Sequence, residues 1–302
     1  MGASPGLVPL LKELGDLKRI RSAGAPGSIA ERRFRAAWGA LVAGADPAVV
    51  MEATNAACLA AARLGDLDGP TLRLLGLTFE ESVSVLEGAL AEVSAPLSSP
   101  GGRGEALIAR LRAALARELP VGAPPPFVEA LARQPRAGVT CPGKSRIMLE
   151  PPENHAEHCL MVAVYGVILS PFYDADPETV FLVGLAHHLH NAAMPDSGFT
   201  GEMLLGDHLE PVMARATARA LDELPPALRA TVERARAILP DADTPEGRAF
   251  HAADVADRVL QIAQHLAAAS LTMDVVLDDM ELVHDGPVKA FHDGVLRELG
   301  LA

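Results

Sequence analysis

The chain is poor in cysteine, lysine and aromatic residues, and each scarcity narrows what it can be. Its 302 residues include three cysteines, Cys58, Cys141 and Cys159, far apart and forming no Cys-x-x-Cys pair. An odd, scattered set of thiols argues against a disulfide framework and a cysteine-rich zinc site, and fits a reduced, cytoplasmic protein. Four lysines, Lys12, Lys18, Lys144 and Lys289, leave arginine to carry nearly all the positive charge, and the net charge is −13. That balance argues against partnership with nucleic acid or an anionic membrane, since both call for a basic face. It leaves room for a small phosphorylated molecule, which needs only one or two local cations. Aromatic residues make up 4% of the chain and strand-like alternation is rare, so a β-rich fold is not expected. The apolar runs Leu160–Leu169 and Val180–Ala186 fall short of the roughly 20 residues that span a bilayer and are expected to be core helices. The opening Met1-Gly-Ala-Ser-Pro-Gly has no basic segment followed by an apolar one, so no signal peptide is expected. Gly6 stands where a myristoylation motif needs Ser or Thr.

What the chain does have is helix. With 49% apolar and 22% charged residues it has the composition of an ordinary folded protein. Ser28-Ile-Ala-Glu31 reads as a capping-box start to a helix reaching about Ala43. Asp46-Pro47 opens one to about Leu67, and Thr78-Phe-Glu-Glu81 leads into another over 82–93. Glu105–Glu118 reads as an amphipathic helix after a Pro/Gly/Ser loop that includes Gly101-Gly-Arg-Gly104, a linker rather than a phosphate loop. Three consecutive prolines, Pro124–Pro126, make the strongest break. The expected division is therefore a helical N-terminal domain, residues 1–122, and a C-terminal domain, residues 123–302. In the latter, helices are predicted near 127–133, 153–170, 177–193, 200–223, 225–239, 245–271 and 288–299, with a long loop over 135–152. The fold class is all-α, a helical bundle preceded by a smaller helical domain.

Chemistry concentrates in three clusters. Gly184-Leu-Ala-His187-His188-Leu-His190-Asn191 puts three imidazoles in four positions at the end of an apolar run. His155-Ala-Glu-His158 lies upstream and His251-Ala-Ala-Asp254 downstream, each with two ligand-type residues three apart and so on one helix face. Neutral imidazole is the commonest protein metal ligand, and a buried ring is costly unless something satisfies it. The pattern points to a metal site.

Taken in order, the three motifs resemble those of the HD-domain superfamily. Glu153-Asn-His-Ala-Glu-His158 is similar to its first-histidine helix. Gly184-Leu-Ala-His187-His188 is similar to the motif that names the family, with His188 where that family has aspartate, and Ala252-Ala-Asp254 is similar to its last-aspartate helix. The resemblance covers about residues 140–300. It implies a metal-dependent phosphohydrolase of the five-prime nucleotidase flavour, acting on a small, nucleotide-like phosphoester. The ligands would be His158, His187, His188 and Asp254, around one divalent ion (Mn, Co, Fe, Ni, Mg or Zn). An acid eight residues after the motif corresponds to Asp196, which would orient water or protonate the leaving oxygen, with His190 as the other acid–base group. An arginine before the first histidine holds the phosphate in that type, and Arg146 with Lys144 would do so here, unless they are solvated loop charges. Asn191 stands where the family has a catalytic glutamate and is assigned to substrate binding. Loss of two acids also supports a second reading, a degenerate HD domain serving as a ligand-binding or regulatory module. An iron oxygenase on the same scaffold is a third.

The remaining groups read as bland. His208, His265, His284 and His292 are expected to be structural or exposed. His155, His190 and His251 are either supporting groups or surface residues. Asp257 reads as a surface acid paired with Arg258. Arg32-Arg-Phe-Arg35 reads as a solvated helix face, and the apolar N-terminal helices suit packing on the second domain or on another copy, as in a homodimer.

Overall fold

The structure is a computed structural model that describes residues 5–98, 104–269 and 272–301. The start of the chain over residues 1–4 and most of the Gly101–Gly104 linker lie outside the described residues. The expected all-α class is observed: fourteen α-helices and no β-strand are found among the described residues, with only isolated bridges such as Val139–Ile147 in the 135–152 loop. The helices are α1 (Val8–Gly15), α2 (Ile29–Val42), α3 (Pro47–Leu64), α4 (Gly69–Leu74), α5 (Phe79–Val93), α6 (Glu105–Ala114) and α7 (Pro126–Arg133). There follow α8 (His155–Tyr173), α9 (Pro177–Ala186), α10 (Gly198–Leu205), α11 (Leu209–Leu221), α12 (Pro226–Arg236), α13 (Pro245–Ala269) and α14 (Lys289–Leu299).

Several starts follow the capping residues. Ser28, Asp46 and Thr78 each accept a hydrogen bond from an early backbone N–H of the helix they open, and Thr78 with Glu81 completes a capping box. Asn154 and Glu157 form a second full box at the start of α8. Three predicted elements differ from what is observed. The helix predicted over 200–223 is two, α10 and α11, because Gly206 sits at φ +48° between them. The helix predicted over 105–118 stops at Ala114. The helix predicted over 177–193 stops at Ala186, and a 3-10 turn over Leu189–Ala192 follows.

α8 is the axis of the molecule. By length and composition it could cross a membrane, yet nearly all of it is buried inside the fold, against α9 and α13. One apolar cluster runs from Leu7 to Leu299 and takes in side chains on both sides of the Pro120–Pro126 connector. Trp38 of α2 meets Phe127 of α7 edge to face across that connector, ring centroids 4.9 Å apart. The closest approach at the axis is set by glycine. A Cβ on Gly184 of α9 would lie 2.5 Å from the Cα of Ala163 in α8. Gly184→Ala is therefore expected to force the two helices apart and cost about 1–3 kcal/mol. Denaturant unfolding reads this, and an unchanged midpoint would mean the two helices do not pack this closely.

Candidate metal centre

Three elements deliver the site. His155 and His158 lie on the first turns of α8, His187 and His188 follow α9, and Asp254 lies on α13. α9 ends where it does because its last carbonyls are captured by side chains. His187 Nδ1–H donates to the Gly184 carbonyl at 2.7 Å, and a guanidinium N–H of Arg236 donates to the Ala186 carbonyl. With those carbonyls taken, the chain turns and aims both imidazoles inward instead of spiralling on.

The three central histidines are held in the same tautomer. His158 Nδ1–H donates to Asp257 Oδ2 at 2.8 Å, and His187 Nδ1–H to Gly184 as above. His188 Nδ1 lies 2.9 Å from Asn191 Oδ1, whose orientation is fixed because Asn191 Nδ2–H donates to the Met194 carbonyl at 3.2 Å. Each ring thus spends its one proton at Nδ1 and keeps the Nε2 lone pair free. His158, His187 and His188 each offer a ligand nitrogen within 4.8 Å of the other two. Nε2 of His158 and Nε2 of His187 are 3.1 Å apart, and Asp254 Oδ1 is 3.2 Å from the first and 4.0 Å from the second. Two lone pairs facing each other at that distance repel unless a cation lies beside them. Neighbouring nitrogens that bind one metal at about 2.1 Å are themselves roughly 3.0–3.4 Å apart. These buried groups could hold a metal ion.

A second cluster, Glu153, His158 and Asp257, also brings ligand-type atoms together. Here the cation is already present. Lys18 Nζ donates to Glu153 Oε1 at 2.7 Å and to Asp257 Oδ1 at 2.8 Å, with all three side chains buried. Asp257 is accordingly no surface acid paired with Arg258, as expected from sequence. It is fully buried, and Lys18 and His158 hold its carboxyl down despite burial. The partner of Arg258 is instead the Leu282 carbonyl, at 3.1 Å.

The other expected site residues fall in different places. Asp196 accepts backbone N–H bonds from Ala137 and Gly198, each at 2.9 Å, and lies 3.8 Å from Arg136 and 3.4 Å from His155 Nε2. Burial would push its carboxyl up, but these partners outweigh it and hold Asp196 below the usual carboxylate range. Of the two roles expected for it, an acid kept ionised in this way suits orienting water better than protonating a leaving oxygen. His190 is buried, its ring 5.5 Å from His188, and burial lowers it to about 4. Lys144 and Arg146 are exposed, Arg146 reaching only the Ser197 carbonyl at 3.4 Å. The arginine beside the site is Arg136, which sequence reasoning missed. Burial disfavours its charge, but Glu153, Asp196, Asp254 and Asp257 together favour it more. Its Nη1 is buried and has no hydrogen-bond partner among the described residues. Lys18 and Glu153 were missed as well, since nothing local marks them.

Comparison with known protein families, with curated proteins and with solved structures found no match to this chain. The chemistry of the centre therefore rests on its geometry.

Burial keeps the imidazoles neutral. His155 and His292 are lowered to about 4, as is His190, and His187 and His188 lie further below the ordinary value. In the unfolded chain they titrate near 6.5, so between about pH 6.5 and 4 the unfolded state binds more protons than the folded one. Stability of the metal-free protein is expected to fall as pH drops through that window, by about 1.4 kcal/mol per pH unit for each such histidine. Urea unfolding from pH 7 to 4 checks the slope. A flat profile would mean the histidines are solvated.

Proposed function

We propose that this protein is a metal-dependent phosphohydrolase of the HD-domain type, acting on a small phosphoester. The carrying observation is the convergence of a nitrogen from each of three imidazoles, with one carboxylate beside two of them and each Nδ1 facing an oxygen acceptor. His158, His187, His188 and Asp254 would hold one divalent ion, and the exchange of aspartate for His188 suits a single ion because an imidazole nitrogen does not bridge two as a carboxylate can. When bound, such an ion supplies Lewis acidity toward a phosphoryl oxygen and lowers the pKa of coordinated water.

The chain's own residues supply the rest. Arg136 replaces Arg146 and Lys144 as the phosphate-binding cation, because it is half-buried beside the centre with a buried Nη1 that has no partner among the described residues, and a guanidinium matches phosphoryl oxygens. Asp196 supplies a negative charge beside Arg136 and His155. Neutral His190 and His155 can accept a proton. Asn191 orients His188, with its amide oxygen on His188 Nδ1 and one amide N–H on the Met194 carbonyl.

One observation favours the alternative, a ligand-binding or regulatory module without hydrolysis. Asp196 accepts two backbone N–H bonds beside Arg136, and Asn191, where the resembled family has a catalytic glutamate, is bonded to His188 and Met194, so one expected acid–base group and one expected substrate-binding group already have structural partners. Turnover separates the two readings. Protein loaded with Mn²⁺ or Co²⁺ is expected to hydrolyse p-nitrophenyl phosphate or a nucleoside monophosphate, and Asp254→Ala to lower the rate by about 100-fold or more. Ligand-dependent thermal stabilisation with no turnover under any of these metals would favour the binding module, and equal rates in Asp254→Ala would remove Asp254 from the centre.

A further inference from the structure

The N-terminal helices enclose a cavity that the proposed reaction does not use. It measures about 530 Å³ and is lined by residues of α2, α3, α4, α5 and the end of α6 with the chain that follows it. Its origin lies in the sequence of α3. Ala53, Ala57, Ala60 and Ala61 fall on one face of that helix, where larger side chains would fill the space in front of them. Ala57 is the one residue between Val50 and Ala61 that is not buried, because it faces this space. Ala60 and Leu86, which also line it, belong to a small apolar cluster separate from the main core. At the mouth stand Leu67, Phe79 and Val121, three of the nine large apolar side chains exposed on the described surface. Apolar groups left in water around an apolar hollow mark a place where something apolar binds.

The polar groups on the lining define what fits. Five charged side chains line the cavity, and each already faces an opposite charge: Arg33 with Asp68 at 3.2 Å, Arg73 with Glu118 at 2.8 Å, and Arg117 with Glu52. An anion at either of the first two arginines would meet the carboxylate beside it, and a cation would meet the guanidinium, so neither sign of charge is favoured. Thr54 differs from these. It is 4% exposed, it lines the cavity, and its hydroxyl has no hydrogen-bond partner among the described residues. A buried hydroxyl left unpaired is costly, and this one can donate or accept.

We propose that this cavity binds an uncharged, lipophilic small molecule with one hydrogen-bonding group, of the kind a medium-chain aliphatic alcohol presents, and that Thr54 holds that group. Its volume is that of a small-molecule pocket. The site is separate from the metal centre, and the inference does not depend on the phosphoester reading.

Fluorescence titration of the full chain with N-phenyl-1-naphthylamine, an uncharged fluorophore that brightens in apolar surroundings, tests this. Saturable uptake of one molecule per chain is expected, displaced by 1-octanol more readily than by octanoate or octyltrimethylammonium. Ala57→Phe, and in parallel the smaller Ala57→Leu, project into the cavity from a position with room for them and are expected to weaken uptake, by about 10-fold or more for the phenylalanine. Unchanged circular dichroism shows that each variant folds. Thr54→Val is expected to weaken 1-octanol about 3- to 10-fold and to leave 1-chlorooctane, which lacks the hydroxyl, unchanged. No saturable uptake, or uptake unaffected by both Ala57 variants, would overturn the site. Stronger displacement by octanoate or by octyltrimethylammonium would overturn the uncharged ligand. A dimer that forms with rising protein concentration and excludes the fluorophore would overturn the small molecule in favour of a second copy of the chain.

Discussion

One buried ammonium ties the molecule together. Lys18 comes from the N-terminal segment, Glu153 from the turn before α8 and Asp257 from α13, and the three meet out of water at 2.7 and 2.8 Å. Desolvating such a set is costly, and it persists only because each charge has its partner; removing one partner from a buried pair typically costs about 3–5 kcal/mol. The same Asp257 that receives Lys18 holds His158 Nδ1–H with its other oxygen. The N-terminal segment thereby reaches the candidate centre through two contacts, which gives it a role beyond covering apolar surface. Tyr165 repeats the link on the next face of α8, its hydroxyl donating to the Leu11 carbonyl.

The centre itself follows from a proton count. Three imidazoles have three Nδ1 positions engaged by a carboxylate, a carbonyl and an amide oxygen, which leaves the Nε2 lone pairs free for a cation. Nitrogen-rich sets with one carboxylate suit borderline ions such as zinc, cobalt, nickel or iron better than magnesium or calcium, which prefer oxygen. His188 and Asn191 then form a matched pair. The amide that stands where the resembled family has a catalytic acid is the group that orients the histidine standing where that family has its aspartate.

Much of the fold was legible because its signals are local. Ser28, Asp46, Thr78 and the prolines mark helix ends through bonds within three or four residues, and the apolar runs of α8 and α9 mark the core. That His158, His187, His188 and Asp254 come together was legible too, since three ordered motifs carry them at the ends or on the faces of apolar helices. What could not be read are contacts between distant segments. Lys18 and Asp257 are 239 residues apart, and His158 and Asp257 are 99 apart. Nothing near Asp257 distinguishes it from a surface acid. Arg136 lies only ten residues before Arg146, and the backbone path of the 135–152 loop alone decides which of them turns inward. The end of α9 at Ala186 depends on Arg236, fifty residues away.

The most direct test of the account is a titration of chelator-treated protein with Co²⁺, followed by calorimetry and by visible absorption. The expected result is uptake of one ion per chain, with an absorption spectrum of mixed nitrogen and oxygen ligation. His158→Ala, His187→Ala and His188→Ala should each weaken uptake. Failure of the folded chain to take up Co²⁺, Zn²⁺ or Mn²⁺ would contradict the central claim, leaving the three Nε2 atoms as a buried cluster with no ion to hold.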